Sequence, residues 1–465
     1  MEPANARFGG GAASTMLHPL VAVALLIAIV LMLLLPRKYV IAPFLLAVFL
    51  VPMGQGLVVG GMHFLVIRIL ILVGCARFIS SMLSSRRDAF AEGFSSVDQA
   101  VTLWAFFYAL TFTILWMDTQ ALINRLGFLV DILGGYFLLR FLIQDMDDVR
   151  RAIKLFALIA VINAICMMNE QLTGQNIFGR LGGIASVSAV REGRIRSQGA
   201  FQVYILAGVF GATFLPLFAW LWKDRVSRIL GLVGMTSAII MVVTSASSTS
   251  DMALVAAIVG LCFWPLRKQM RLIRWGLVFM LVALHLVMKA PVWALIARMD
   301  LTGASSGEHR YKLVDNFIRH FADWWLLGAK NYNDWGWEMW DLSNQYVACG
   351  LQGGLATLIC FIAIISRGFG RLGRARARVA GDRKQEWFLW FLGASMFAHL
   401  VAYFGISYFD QIQFAWFAFL AIIYVATFKA MRPEVEQVET VGDLHLASVP
   451  SQVGSGLSDQ PDKVN

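Results

Sequence analysis

Long apolar runs separated by short polar turns repeat along almost the whole chain. They fall at 17–35, 39–51, 62–82, 97–117, 121–143, 153–168, 199–222, 229–245, 252–265, 275–297, 347–365, 387–408 and 414–428. A helix that crosses a bilayer needs about 20 largely apolar residues, whereas a transmembrane barrel strand is shorter and alternates with period two. The runs predict an all-α, polytopic transmembrane helical bundle of about 12–13 spans, a transmembrane domain over 17–428. The polar ends at 1–16 and 429–465 lack periodicity and are expected to be a disordered lead-in and tail.

Two polar stretches are too long to be simple turns, and long loops in compact proteins are commonly functional. The first, 169–198, carries Arg180, Arg191, Arg194 and Arg196 among many glycines. The second, 298–343, is rich in tryptophan. Within it Leu313, Phe317, Phe321 and Trp324 recur at about four-residue spacing between polar residues, which predicts an amphipathic helix over 311–327 stopped by Gly328.

Composition agrees: 58% of residues are hydrophobic and 15% charged, against about a quarter charged in soluble domains. The net charge of +10 is carried largely by Lys and Arg in alternate turns, where it sets orientation and does not mark a nucleic-acid site. Those turns hold Arg37/Lys38, Arg86/Arg87, Arg150/Arg151/Lys154, Lys223/Arg225/Arg228, Arg267/Lys268/Arg271/Arg274 and the run from Arg367 to Lys384. The positive-inside tendency puts them and the C-terminus in the cytoplasm, and both long loops and the N-terminus outside. Cys75, Cys166, Cys262, Cys349 and Cys360 stand singly, which argues against a zinc site or a disulfide framework.

Arginines on the outer side need another reason to be there. One is bidentate capture of phosphate; the other is solvation or pairing with Glu170, Glu192 or lipid head groups. Trp335, Trp337 and Trp340 suit an interfacial belt or a surface for stacking sugars. Polar residues inside the runs are few: Arg68, Asp131, Asn163, His285 and His399, with Asp251 and Asp410 near outer ends. Such residues mark function or pair with one another. Arg68, expected about two turns inside its helix, is placed to face the outer cavity.

In this order, RIRSQGAF before a span, a Ser-rich SASSTSD turn, SSGEHR with Arg310, WWLLGAKNY and SNQYVACGLQGGLATL resemble the O-antigen ligase and O-antigen polymerase family of bacterial envelope proteins. The resemblance covers the chain from Leu126 onward, most specifically 199–369. It departs from the family at Ser343, which stands where the ligases carry a histidine. The resemblance implies an inner-membrane glycosyltransferase that polymerises or ligates undecaprenyl-pyrophosphate-linked glycans at the periplasmic face, without metal or cofactor. Arg68, Arg194, Arg196 and Arg310 would hold the pyrophosphate, and Glu308, His309, His320 or Asp341 would be the base. Trp335, Trp337 and Asn344 would contact the acceptor sugar. The partners implied are the lipid-linked glycan, membrane lipids, a flippase and a chain-length regulator, and no nucleic acid. The alternatives are a transporter or flippase of lipid-linked saccharides, and a non-catalytic assembly component.

Overall fold

The structure is a computed structural model that describes residues 17–59, 62–84, 93–298, 306–336 and 338–431. The expected lead-in over 1–16 and nearly all of the expected tail lie outside the described residues, as does Trp337.

The chain begins with α1 (Pro19–Leu34) and α2 (Arg37–Leu50), followed by a hairpin of β1 (Gly56–Val59) and β2 (Met62–Leu65). α3 (Val66–Ser84) and α4 (Ser96–Trp116) follow. α5 (Thr119–Leu129) continues through a π-helical turn, Val130–Gly134, into α6 (Gly135–Leu142). After α7 (Met146–Thr173), the first long loop carries a second hairpin, β3 (Ala189–Arg191) and β4 (Arg194–Arg196). The bundle resumes with α8 (Tyr204–Lys223), α9 (Arg228–Ser245), α10 (Ser248–Cys262) and α11 (Met270–Val287). The second long loop holds α12 (Leu295–Arg298), α13 (Ser306–Arg319) and α14 (Phe321–Trp324). The described chain closes with α15 (Gln345–Arg378), α16 (Arg383–Ala402) and α17 (Asp410–Met431).

The protein is an all-α multi-pass membrane protein. In lipid every backbone N–H and C=O must find a partner within the protein, and helices satisfy that locally. Nine helical segments among the described residues are long and apolar enough to cross a membrane, and Pro19–Leu34 and Ser248–Cys262 are shorter apolar helices. The sequence pattern predicted more spans. The run 39–51 forms a helix of 14 residues with Pro43 inside it, about 21 Å of rise against a hydrocarbon core of about 30 Å. The run 62–82 begins as a strand paired to β1, so Arg68 sits in the first turn of α3, nearer the helix end than its spacing suggested.

Helix α8 is the centre of the bundle, with Phe210, Phe214 and Phe218 fully buried. Phe210 and Phe214 meet Phe49, Phe156 and Phe201 at centroid distances of 4.6–5.9 Å. Close helix contact in membranes depends on small residues. A Cβ at Gly211 would stand 2.6 Å from the Ala238 carbonyl, so α8 and α9 pack almost backbone to backbone there. Helix α11 is the opposite case, with no buried residue.

The ends of the bundle differ in chemistry. At one end the basic turns interlock: Arg37 pairs with Asp148 at 2.9 Å, Arg267 with Glu386 at 2.9 Å, and Arg367 donates to the Ser96 carbonyl at 2.6 Å. At the other, here called the loop face, the first long loop is tied to helix ends. Ser197 N–H donates to the Thr244 carbonyl at 3.0 Å, and Gln411 Nε2 donates to the Ala200 carbonyl at 2.9 Å.

One span is broken. Gly354 in α15 has φ 69° and ψ −176°, a conformation open essentially to glycine alone. The interruption frees groups that the second long loop takes up. Ala329 N–H donates to the Leu351 carbonyl at 2.9 Å, and Leu355 N–H donates to the Trp325 carbonyl at 2.8 Å. The turn WWLLGAK therefore docks into the break, beside a small core of Leu313, Phe317, Trp324, Met339, Val347 and Leu351. Leu313, Phe317 and Trp324 bring to this core the face predicted for 311–327, but the single helix expected there ends at Arg319, α14 ends at Trp324, and Gly328 (φ +99) closes the turn that follows. Phe321, placed on the same face by its spacing, is instead 46% exposed, because a turn at His320 separates α13 from α14.

Candidate functional site

The site grows from the first turn of α10, where SASSTSD leaves the end of α9. Ser247, Ser248, Thr249 and Ser250 are all buried. Gly208 of α8 lies against Ser245 Oγ and Ser250 Oγ, so the small residue lets this polar turn sink into the bundle. Arg310, in the first turns of α13, reaches this turn from the second long loop. Its Nη2 donates to Thr249 Oγ1 at 2.8 Å and to Ser248 Oγ at 3.1 Å. Thr249 Oγ1 in turn donates to the Gly405 carbonyl at 3.1 Å, anchoring the turn to the link between α16 and α17.

The first long loop arrives at the same turn. Glu192 (φ 51) and Gly193 (φ 73) both have positive φ, as the tight turn of a two-residue hairpin requires. The register pairs Arg191 with Arg194 and Ala189 with Arg196. Directly opposed residues share a face, and so do alternate residues of one strand. Arg191, Arg194 and Arg196 therefore line one face of this ribbon. Arg194 is exposed and lies near enough to Asp251, in the first turn of α10, to act on its charge. Arg196 donates to the Tyr204 hydroxyl and covers the Tyr204 ring, 4.5 Å from its centroid.

Glu170 does not pair with these arginines; its carboxylate accepts from Ser188 Oγ at 2.8 Å, Gln198 N–H at 3.1 Å and Gly199 N–H at 3.0 Å. This bonding pins both ends of the loop and leaves the arginine face uncompensated by Glu170. Asn163 supports the same segment by accepting from Ala200 N–H at 3.1 Å.

Among the expected bases the structure separates two groups. His309 precedes Arg310, is buried, and its Nε2 lies 3.9 Å from Asp341 Oδ2 with no hydrogen-bond partner. Partial burial raises the Asp341 carboxyl from its ordinary value although the side chain is 48% exposed, with Glu338 adding to the rise and His309 and Arg310 opposing it. His309, Arg310 and Asp341 thus form one cluster over the α10 turn. Glu308 is exposed and bonded to Lys312 at 2.8 Å, and that bond holds its carboxyl below the usual range. His320 follows the last residue of α13, away from this cluster along the chain, its Nδ1 3.0 Å from the Asn316 carbonyl and its ring stacked on Trp335 at 4.4 Å.

The remaining candidates are structural in their contacts. Arg68 forms a two-pronged ion pair with Asp131, Nε to Oδ1 at 2.9 Å and Nη2 to Oδ2 at 2.6 Å. Asp131 sits in the π-helical turn, and the Arg68 guanidinium lies against Gly127 one turn earlier. Asn344 caps α15, accepting from Tyr346 N–H at 3.0 Å and Val347 N–H at 3.2 Å. His399 bonds Tyr408 at 2.7 Å inside an aromatic cluster, and His285 stacks on Trp293. Among the described residues there is no group of three or more His, Cys, Asp and Glu side chains fit to hold a metal.

Sequence reasoning grouped Arg68, Arg194, Arg196 and Arg310 around one pyrophosphate, whereas the structure pairs Arg68 with Asp131. It missed the Ser248–Thr249 receptor for Arg310, although the Ser-rich turn was visible. It also left Arg191 outside the site, although a hairpin with Glu-Gly at its turn was a signal for the shared face. The chain matches no protein-family model, and no curated protein sequence matches it significantly.

Proposed function

We propose that the protein is a glycosyltransferase that polymerises or ligates glycans carried on a polyprenyl pyrophosphate, with its chemistry at the loop face. The positive-inside tendency puts that face on the side away from the cytoplasm, and the family resemblance makes that side the periplasm of a bacterial inner membrane. The observation that carries the reading is the meeting of two arginine-bearing loops on one buried, hydroxyl-rich helix turn. Arg310 comes from one loop and the Arg191, Arg194 and Arg196 face from the other. Fixed cations of this kind suit a pyrophosphate leaving group, whose charge grows as its bond to the sugar breaks.

In the reaction an acceptor hydroxyl oxygen attacks the anomeric carbon of the donor. The bond from that carbon to the pyrophosphate oxygen breaks, and the leaving pyrophosphate keeps the electron pair beside the arginines. The hydroxyl proton passes to the His309–Asp341 pair, which supplies a base where the family's histidine is replaced by Ser343. Asp341 Oδ2 stands 3.9 Å from His309 Nε2, and the proximity of Arg310 couples proton transfer to leaving-group capture. The apolar carrier remains in the lipid.

A flippase remains the second reading because α15 is broken at Gly354, and broken spans are common at transport sites. Deleting the protein in its host and analysing the lipid-linked pool separates the two. Single repeat units accumulating on the carrier at the periplasmic face, with polymer lost, fit a polymerase; accumulated carrier-linked polymer fits a ligase. Repeat units confined to the cytoplasmic face would reject the transferase in favour of the flippase.

A further inference from the structure

A second cationic site lies at the α4–α5 hairpin, and nothing in the proposed transfer uses it. Arg125 of α5 is 9% exposed. Its guanidinium lies 3.6 Å from the centroid of Phe112, 4.8 Å from that of Tyr108 and 5.3 Å from that of Phe128. Its buried Nε has no hydrogen-bond partner. The guanidinium bonds the Tyr108 hydroxyl, a neutral partner, whereas Arg140 of the same bundle pairs with the Asp98 carboxylate at 3.2 Å. No ion pair within 4.0 Å joins Arg125 to a carboxylate among the described residues.

A cation held this deep without a counter-charge is costly, and aromatic faces compensate only part of the lost hydration. The surroundings supply a means of recognition. Tyr108 OH donates to Gln352 Oε1, next to the break in α15. Thr111 Oγ1 donates to the Gly353 carbonyl at 3.0 Å, so the broken segment's own acceptors are satisfied without Arg125. Phe112 and Trp116 are one turn apart on α4, with centroids 5.9 Å apart. Lys330, exposed on the second long loop, stands 5.3 Å from the Trp116 centroid. Arg125 and Lys330 therefore flank one aromatic ladder, the first in the bundle and the second at its rim.

We propose that Arg125 and Lys330 bind a phosphate group, with Arg125 as the buried anchor and Lys330 as the cation at the mouth. The guanidinium offers paired donors to phosphate oxygens, and the unused Nε is one of them. The phosphate belongs to a phospholipid headgroup or to a free anion; the recognition chemistry is shared. The site is independent of the glycan reading, since it uses none of the residues of the α10 turn.

The test uses the full chain in nanodiscs of phosphatidylcholine with and without phosphatidylglycerol, with retained lipid counted by native mass spectrometry. A parallel titration with inorganic phosphate in detergent follows thermal stability. The wild type should retain phosphatidylglycerol, and Arg125→Gln should weaken that retention about tenfold or more, the loss expected for a charge-assisted pair. Arg125→Lys should fall between them, and Lys330→Gln should show a smaller loss. Stabilisation by inorganic phosphate that Arg125→Gln abolishes, without selective lipid retention, assigns the site to a free anion. Equal phosphatidylglycerol retention and equal phosphate response in wild type and Arg125→Gln overturn the proposal. If Arg125→Gln does not fold, unchanged binding in both Arg125→Lys and Lys330→Gln overturns it equally.

Discussion

Replacing Gly354 by alanine should detach the second long loop from the bundle. At φ 69° and ψ −176° any side chain is strained, at a cost of about 1–3 kcal/mol. The added Cβ would also stand 2.5 Å from the Leu326 carbonyl oxygen and 3.1 Å from Leu327 N, both backbone atoms of the docked turn. Overpacking of this kind costs about 1–3 kcal/mol, so the two effects together reach about 3 kcal/mol or more. Alanine also favours a continuous helix over glycine by about 1 kcal/mol. The least costly response is for α15 to close and expel the turn. That would forfeit the bonds from Ala329 to Leu351 and from Leu355 to Trp325, and loosen the Phe317–Trp324 stack at 4.0 Å. Gly370 of the same helix is the control, because a Cβ there meets nothing within 4 Å. In purified protein, Gly354→Ala should lower the melting temperature and speed tryptic cleavage at Lys330, whereas Gly370→Ala should be neutral or slightly stabilising. Equal melting and equal cleavage in the two variants would refute the docked-break reasoning.

Three further outcomes follow from the same geometry. Arg310→Ala should reduce glycan transfer about a hundredfold or more at normal membrane levels, and Arg310→Lys should recover little, because a compact ammonium lacks the planar fork that holds Ser248 and Thr249 on one edge and leaves donors for a phosphate on the other; unaltered transfer would remove Arg310 from the mechanism. Because burial raises the Asp341 carboxyl above 3.8, the folded protein binds its proton more tightly than the unfolded chain. That contribution is complete below pH 3.8 and is lost as pH rises through the folded value. Asp341→Asn should flatten this fall in denaturation measured against pH, and an unchanged slope would count against the burial effect. Asp131→Asn should destabilise by about 2 kcal/mol or more by stranding Arg68, whose side chain is only 23% exposed. In a double-mutant cycle Arg68→Gln with Asp131→Asn should cost less than the two single changes summed, and strict additivity would show that the pair is not coupled.

Much of the architecture was legible because lipid restricts the backbone to a few solutions. Apolar runs had to be helices, since no water is present to satisfy a free N–H or C=O. The alternation of basic turns, such as Arg37 and Arg267 against the 169–198 loop, sorted helix ends into two groups, and the structure brings each group together. The Leu313, Phe317 and Trp324 face was legible too, since it is a local property of helix period.

Tertiary structure alone decided which distant residues meet. Arg310 finds Ser248 and Thr249 more than sixty positions away, and nothing local encodes which helix end a loop will reach. The short first spans and the strand pairing at Gly56–Val59 and Met62–Leu65 escaped the apolar pattern because composition does not record where a helix begins. Gly354 looked like one of a pair of glycines in a span; only docking of the WWLLGAK turn made it a break. Arg125, inside the apolar run 121–143, was not singled out by the sequence pattern, and is a buried cation through the packing of α4 and α5 around it. Sequence determines what each segment can bury, and the order in which those segments pack determines which polar groups are left to face one another.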